Sequence, residues 1–224
     1  MSETLVKICG LQSVEVLKSM INLPVDYVGL MFANSKRQVN ANQAAELIRI
    51  LKHWNHEVKP ASVGVFVNPE LGDLEEVMDI APLDVIQLHG QESPQFCREV
   101  KDRFPVSVFK VSSIVSGAVK QEHLTELDAY VGSIDALLLD TYDPVYGGGS
   151  GKTFDWESIP VYQEWSRRNA IPLFVAGGLT PSNLRQLIET YHPDGVDVSS
   201  GVESSPGVKD IDKVTAFVER VKNS

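Results

Sequence analysis

Two cysteines in 224 residues, Cys9 and Cys97, cannot make a disulfide framework, and the reducing cytoplasm is the expected compartment. No apolar run approaches the roughly 18 residues that a membrane-spanning helix needs. The opening MSETLVKICG has no basic region ahead of a long apolar stretch, so no signal peptide is expected. Basic residues are outnumbered, 20 Lys and Arg against 30 Asp and Glu. The formal charge of −10 argues against nucleic acid or an anionic membrane as partner. Metal-binding patterns are missing as well: there is no HxH, no CxxC and no carboxylate pair clustered on one strand. The nearest nucleotide-binding motif also fails. Gly151-Lys152-Thr153 ends like the P-loop GxxxxGK[ST], but that spacing calls for glycine at 146, which is Tyr146.

The most informative stretch that is present runs from Ile134 to Trp156. Ile134 to Leu139 is apolar on both faces, as a strand of a parallel sheet covered on both sides would be, and Asp140 closes it. A glycine-rich loop follows (Gly147, Gly148, Gly149, Gly151), then a helix start at Asp155-Trp156. The same strand-then-helix punctuation recurs along the chain. Strands are expected at Leu5 to Cys9, Tyr27 to Phe32, Ser62 to Val67, Val85 to Leu88, Val106 to Val111, Leu173 to Ala176 and Gly195 to Val198. Helices are expected from about Leu11 to Ile21, over 41–54, from Asn68-Pro69 to Ile80, and from Glu92 to Arg103. Four more are expected within 116–130, near 156–168, from Thr180-Pro181, and from Lys209 to Val221. Eight such units without a break in composition predict an α/β fold: a single (β/α)8 TIM barrel over residues 1–224, eight parallel strands ringed by helices. An eight-stranded doubly wound sheet is the competing architecture.

In a barrel, active-site groups come from the carboxyl ends of strands. Cys9, Arg37, His89, Asp140 and two glycine/serine turns, Ala176-Gly177-Gly178 and Ser199-Ser200-Gly201, fall there. Alternation puts Lys7 and Cys9 on one face of the first strand, with Val6 and Ile8 on the other, so the polar pair faces inward. A lysine ammonium beside a thiol favours the thiolate and is expected to lower its pKa from about 8.5; alternatively Cys9 is a small buried hydrophobe, as Cys97 is expected to be. Asp140 is inward by the same rule. It either caps a turn or stands across the mouth from Cys9, where an acid and a base could serve different atoms of one small substrate. The turns after the seventh and eighth strands suit a phosphate held by backbone amides: Gly177, Gly178, Ser199, Ser200 and Gly201, with Gly149 from the mobile-looking loop. Arg37 offers a planar fork for a carboxylate, although a lone loop arginine is equally a solvated one. Asp197 either contacts substrate or pairs with Lys7, and His89 either lines the pocket or is a satisfied rim histidine. Lys110, ending the fifth strand, leaves an aldolase or an indole-glycerol-phosphate synthase-like lyase as an enzymatic rival, and a non-catalytic phosphate-ligand sensor remains a third reading.

Together these residues resemble the phosphoribosylanthranilate isomerase family of tryptophan biosynthesis. The likeness is carried by Lys7-Ile8-Cys9-Gly10, Ser35-Lys36-Arg37, Val63-Gly64-Val65-Phe66, Gln87-Leu88-His89-Gly90, Leu139-Asp140 with Gly148 to Phe154, Ala176-Gly177-Gly178-Leu179 and Gly195 to Glu203. It implies an Amadori rearrangement of N-(5′-phosphoribosyl)anthranilate to 1-(2-carboxyphenylamino)-1-deoxyribulose 5-phosphate. The implied roles are Asp140 as general acid, Cys9 as general base and Arg37 on the anthranilate carboxylate. The two glycine/serine turns would hold the phosphate, with Lys7, His89 and Asp197 as further substrate-binding candidates. No cofactor is implied, because the imine formed within the substrate is the electron sink. The expected partner is the small phosphorylated substrate, with the chain acting as a monomer or homodimer.

Overall fold

Strands that are apolar on both faces need cover on both, and a ring of strands wrapped by helices supplies it. The computed structural model describes residues 3–114, 121–141 and 153–223, the side chains of 121 and 122 excepted. Its parallel strands are β1 (Leu5–Cys9), β2 (Tyr27–Met31), β3 (Ala61–Phe66), β4 (Val85–Leu88), β5 (Ser107–Ile114), β6 (Ala136–Thr141), β7 (Leu173–Val175) and β8 (Gly195–Val198). They pair in chain order, and β8 closes onto β1, with Lys7 opposite Asp197. The closed ring is the (β/α)8 barrel, and the doubly wound alternative is excluded.

Among the described residues eight α-helices surround it: α1 (Val14–Ser19), α2 (Ala41–Leu51), α3 (Leu71–Ile80), α4 (Pro94–Arg103), α5 (Gln121–Asp128), α6 (Ile159–Asn169), α7 (Leu184–Tyr191) and α8 (Ile211–Lys222). Several begin later than expected, for local reasons. Asn68 sits at φ 47, left-handed and non-helical, so α3 starts only at Leu71. Thr180-Pro181 does not open α7. Asn183 Oδ1 accepts from the Thr180 N–H at 2.8 Å and Asn183 Nδ2 donates to Gly178 O at 2.9 Å, making a separate turn before Leu184. Residues 203–209, where no strand is expected and where the last helix is expected to begin at Lys209, form a hairpin of β9 (Glu203–Ser205) and β10 (Val208–Lys209), and that helix starts at Ile211.

Alternation then sorts the core into two layers. Val6, Ile8, Val28, Leu30, Ile86, Leu137 and Leu139 face the helices, while Cys9, Val63, Val65, Phe109, Val111, Ala136, Leu138 and Phe174 face the lumen. Tyr27, Phe109 and Phe174 fill the lumen's lower half with ring centroids 5.3 to 5.6 Å apart. The barrel is therefore closed below, and only its upper end is available for a ligand.

At the amino end of the strands one device recurs four times. Asp26, Asp84, Asp135 and Asp194, each just ahead of an even-numbered strand, accept a backbone N–H from the preceding odd one. The donors are Val6, Ser62, Val108 and Leu173, at 2.7 to 2.8 Å. These N–H groups lie at the first or second residue of their strands, and a carboxylate acceptor satisfies each. Deleting such an acceptor leaves a donor unsatisfied, which costs about 1–3 kcal/mol. We expect Asp135→Ala, which also frees Lys101 (2.7 Å), to lower unfolding stability by about that amount in urea titration. KM should not change, because Asp135 lies at the end of the barrel away from the open mouth.

Candidate active site

The carboxyl ends of the strands open into a cavity of about 420 Å³. Its wall includes Cys9, Arg37, His89, Asp140 and Asp197, together with Gly177, Gly178 and Ser199 to Gly201. The sequence-derived candidates thus converge on one opening, with two exceptions. Gly149 and the glycine-rich loop around it lie outside the described residues. Lys7, expected against the substrate, does not reach the wall. It is wholly buried, one layer deeper than Cys9 on the same face of β1, and its Nζ donates to Asp197 Oδ2 at 2.8 Å. A larger depression of about 590 Å³ between the starts of α2 and α3 offers Asp73 and Glu76 but no cation. It is a poor place for an anionic ligand.

The thiol of Cys9 faces this cavity and not the helices, so it belongs to the site. Its room comes from β2: a Cβ on Gly29, the register partner of Cys9, would stand 2.7 Å from Sγ. Its expected acidity, however, is corrected. Burial pushes the Cys9 thiol above its ordinary range, and attraction to Lys7 and Lys209 only partly opposes this. The reason is that the charge of Lys7 is already matched by Asp197, whose carboxylate also disfavours a second negative charge. The same pair acts on the lysine: burial alone would lower Lys7, but Asp197 and Cys9 together hold its ammonium above the usual range.

Across the mouth, Asp140 Oδ1 accepts from the Thr141 N–H at 2.7 Å. His89 Nε2 lies 3.3 Å from Asp140 Oδ2 yet makes no hydrogen bond, and His89 Nδ1 is 3.4 Å from Gln87 Nε2. His89 is thus a cavity-lining residue beside the carboxylate. Asp197, the other residue left open, pairs with Lys7 through Oδ2 while its buried Oδ1 has no partner.

The two turns meet closely. Gly177 has φ +79, and a Cβ there would strike Thr141 and come within 3.0 Å of Asp140 Oδ1; a Cβ on Gly201 would sit 1.8 Å from Leu179 O. Glycine at these points lets the β7 and β8 turns and the end of β6 pack together at the rim.

Three placements were not foreseen. Arg37 is bound edge-on by Glu203, with Nε to Oε1 at 2.7 Å and Nη2 to Oε2 at 2.9 Å. Lys209 Nζ donates to the same carboxylate at 2.8 Å and to Ser199 O at 2.9 Å. Burial would raise Glu203, but the Arg37 and Lys209 donors hold it down at about 2. The signal was available in Glu203, six residues ahead of Lys209, yet nothing in that spacing names Arg37 as a third member. Lys110 is the third correction. With Phe109 and Val111 facing the lumen it points outward, where Nζ pairs with Glu92 at 3.0 Å and donates to Gly90 O at 2.8 Å. It cannot serve as a Schiff-base lysine in this cavity. Cys97 is buried against the outer core, its thiol raised to about 11 by burial, in keeping with a packing role. Among the described residues no three or more His, Cys, Asp and Glu side chains cluster to hold a metal ion. No helix among them is long and apolar enough to cross a membrane.

Comparison with known proteins places the whole chain among relatives of one kind. The family model described as N-(5′phosphoribosyl)anthranilate (PRA) isomerase matches residues 6–220. An N-(5′-phosphoribosyl)anthranilate isomerase of Brevibacillus brevis is 47% identical over 98% of this chain and 94% of its own length, and one of Crocosphaera subtropica is 39% identical over 97% and 98%. The crystal structure of phosphoribosyl anthranilate isomerase from Thermotoga maritima superposes with a TM-score of 0.80 at 34% identity, covering 99% of this chain and all of that one. An enzyme of the same name, solved with reduced 1-(o-carboxyphenylamino)-1-deoxyribulose 5-phosphate, gives 0.76 at 30% identity over 99% and 100%. The chain belongs to the N-(5′-phosphoribosyl)anthranilate isomerase family.

Proposed function

We propose that this chain is an aldose–ketose isomerase of tryptophan biosynthesis. It would convert N-(5′-phosphoribosyl)anthranilate to 1-(2-carboxyphenylamino)-1-deoxyribulose 5-phosphate. The observation that carries the proposal is the shared cavity, in which a thiol, a carboxyl group, an arginine and two glycine/serine turns face one another in a member of this family. Asp140 gives a proton to the ribose ring oxygen as its bond to C1′ breaks, and the open chain becomes an iminium. The Cys9 thiolate then takes the proton from C2′, and the electron pair moves into the C2′–C1′ bond to neutralise the iminium nitrogen. The resulting enolamine loses its hydroxyl proton and gains one at C1′, leaving the C2′ ketone. Acid and base act on different atoms, so one group of each kind suffices.

Binding is divided between the ends of the substrate. Arg37 keeps one guanidinium edge for the anthranilate carboxylate, and the turns at Gly177-Gly178 and Ser199 to Gly201 take the phosphate through main-chain N–H groups and hydroxyls. Gly149 would join them. Asp197 Oδ1, buried and without a hydrogen-bond partner, would accept from a ribose hydroxyl, and His89 would flank the substrate beside Asp140. Lys7 acts from below by holding Asp197. The chain works in the cytoplasm as a monomer or homodimer.

Removing either proton-transfer group should cut kcat by about 10²–10⁴-fold in Cys9→Ser and in Asp140→Asn, while affinity for the reduced product analogue stays near the parental value. Fluorescence decay of phosphoribosylanthranilate measures turnover, and near-parental kcat in either variant would sink the assignment. Arg37→Ala should raise KM with little loss in kcat. The pH profile carries a sharper signature. A base must be deprotonated to work, and burial raises the Cys9 thiol above its ordinary range. We therefore expect kcat/KM to keep rising with pH beyond 9.0, and that limb to vanish in Cys9→Ser. A plateau already at neutral pH would count against Cys9 as the base.

A further inference from the structure

Glu203 is a carboxylate with four donors and no contact of its own in the cavity wall. Oε1 accepts from Arg37 Nε at 2.7 Å and from Lys209 Nζ at 2.8 Å; Oε2 accepts from Arg37 Nη2 at 2.9 Å and from the Gly207 N–H at 3.1 Å. Each oxygen therefore has two donors, which fills the capacity of an ionised carboxylate. The hairpin of β9 and β10 holds this geometry, because Glu203 and Lys209 are paired residues at its base and Gly207 lies in its turn. Arg37 reaches the carboxylate by lying across Gly10, where a Cβ would come within 2.6 Å of its Cδ. A guanidinium has two edges suited to bidentate pairing, one from Nε and one Nη, the other from both Nη groups. Glu203 occupies the first. Among the described residues nothing takes the second, with Nη1, which is left for a ligand, and Arg37 lines the cavity.

We propose that Glu203 is a positioning residue: it fixes the roll of the Arg37 guanidinium so that its terminal edge meets the substrate's aromatic carboxylate. Lys209 adds a second reason for the carboxylate. Without Glu203 between them, an ammonium and a guanidinium would face each other in a largely buried space, and the arginine would be driven from its place. The inference rests on the reading of Arg37 as the carboxylate clamp.

The test is a double-mutant cycle read through KM, on the natural substrate and on the same sugar phosphate carrying aniline in place of anthranilate. Glu203→Gln keeps the shape but can accept from only one of its two ends. It should raise KM for the natural substrate by about tenfold or more, with kcat within about threefold, and should leave KM for the aniline analogue nearly unchanged. Arg37→Ala should do the same. The pair Arg37→Ala with Glu203→Gln should be no worse than Arg37→Ala alone, because one residue acts through the other. Multiplying effects, or an equal loss on the aniline analogue, would show Glu203 to be a general structural support and overturn the proposal. Should Glu203→Gln melt below the assay temperature, the cycle is run with Glu203→Asp, whose shorter arm cannot reach Arg37 and Lys209 together. An Arg37→Ala variant with parental KM would remove the clamp itself, and this inference with it. Parental KM in the Glu203 variants alone would remove only the inference.

Discussion

The site depends on the ion pair between Lys7 and Asp197, buried where β8 closes onto β1. Closure places the two residues opposite each other, 190 positions apart in the chain, directly under the thiol of Cys9. Such a pair is poor evidence for stability, because desolvating two charges cancels most of their attraction. Losing one partner is a different matter and costs about 3–5 kcal/mol, since the other is left charged and unpaired. The pair is better understood by what it does to its neighbours. It takes away the bare cation that would have made Cys9 a stable thiolate. It also turns Asp197 so that Oδ1 is left without a partner. Under the proposed mechanism a weakly acidic thiol has a use. A thiolate that forms less readily is a stronger base, and the proton at C2′ of an iminium needs a strong one.

The two ends of the barrel use carboxylates for opposite purposes. At the amino ends four aspartates each take a backbone N–H from the first or second residue of a strand, and the arrangement repeats every second strand. Those groups are matched in full. At the carboxyl ends the matching is incomplete: Asp197 Oδ1 and His89 Nε2 are buried without hydrogen bonds, and Asp140 keeps one oxygen turned toward the histidine. Unsatisfied buried polar atoms are uncommon in folded proteins, and a set of them around one cavity marks where a ligand completes the bonding.

Much of this was legible in the chain. Runs of four to six mostly apolar residues closed by a polar or glycine-rich step located all eight strands within a few residues, and period-two alternation placed Cys9 and Asp140 inside. Applied to β5, the same alternation puts Phe109 and Val111 inward and Lys110 outward, so the aldolase reading could have been dropped on pattern alone. What escaped were effects that join distant segments. The acidity of Cys9 was misjudged because its local neighbour is a lysine, while the carboxylate that cancels that lysine lies on the last strand. The hairpin of β9 and β10 was missed because strands of three and two residues carry no periodicity. Its Ser205-Pro206-Gly207 turn was the one local sign. The start of α7 was misplaced because Thr180 and Pro181 have the right types for a helix opening, and the competing bond from Asn183 decides otherwise.

The balance of charge in the site bears on how a protein of net charge −10 would hold a substrate with both a carboxylate and a phosphate. Three cations stand near Cys9: Lys7, Arg37 and Lys209. Two are fixed by the shared carboxylate Glu203 and the third by Asp197, with Asp140 across the mouth. The formal charges nearly cancel, so no strong positive field extends into solvent, where screening would in any case confine it to about 8–10 Å. Under the proposed reading, attraction for the substrate would therefore be a matter of direction: the free edge of one guanidinium at one side, and the amides of two tight turns at the other. Donors of that kind act at hydrogen-bond distance and need no net charge. The same economy explains the packing of the turns, where Gly201 passes so near Leu179 O that no larger residue fits. Backbone groups can bind an anion only if the chain brings them within reach and holds them there. In this barrel the closure of β8 on β1 and the hairpin behind it supply that rigidity.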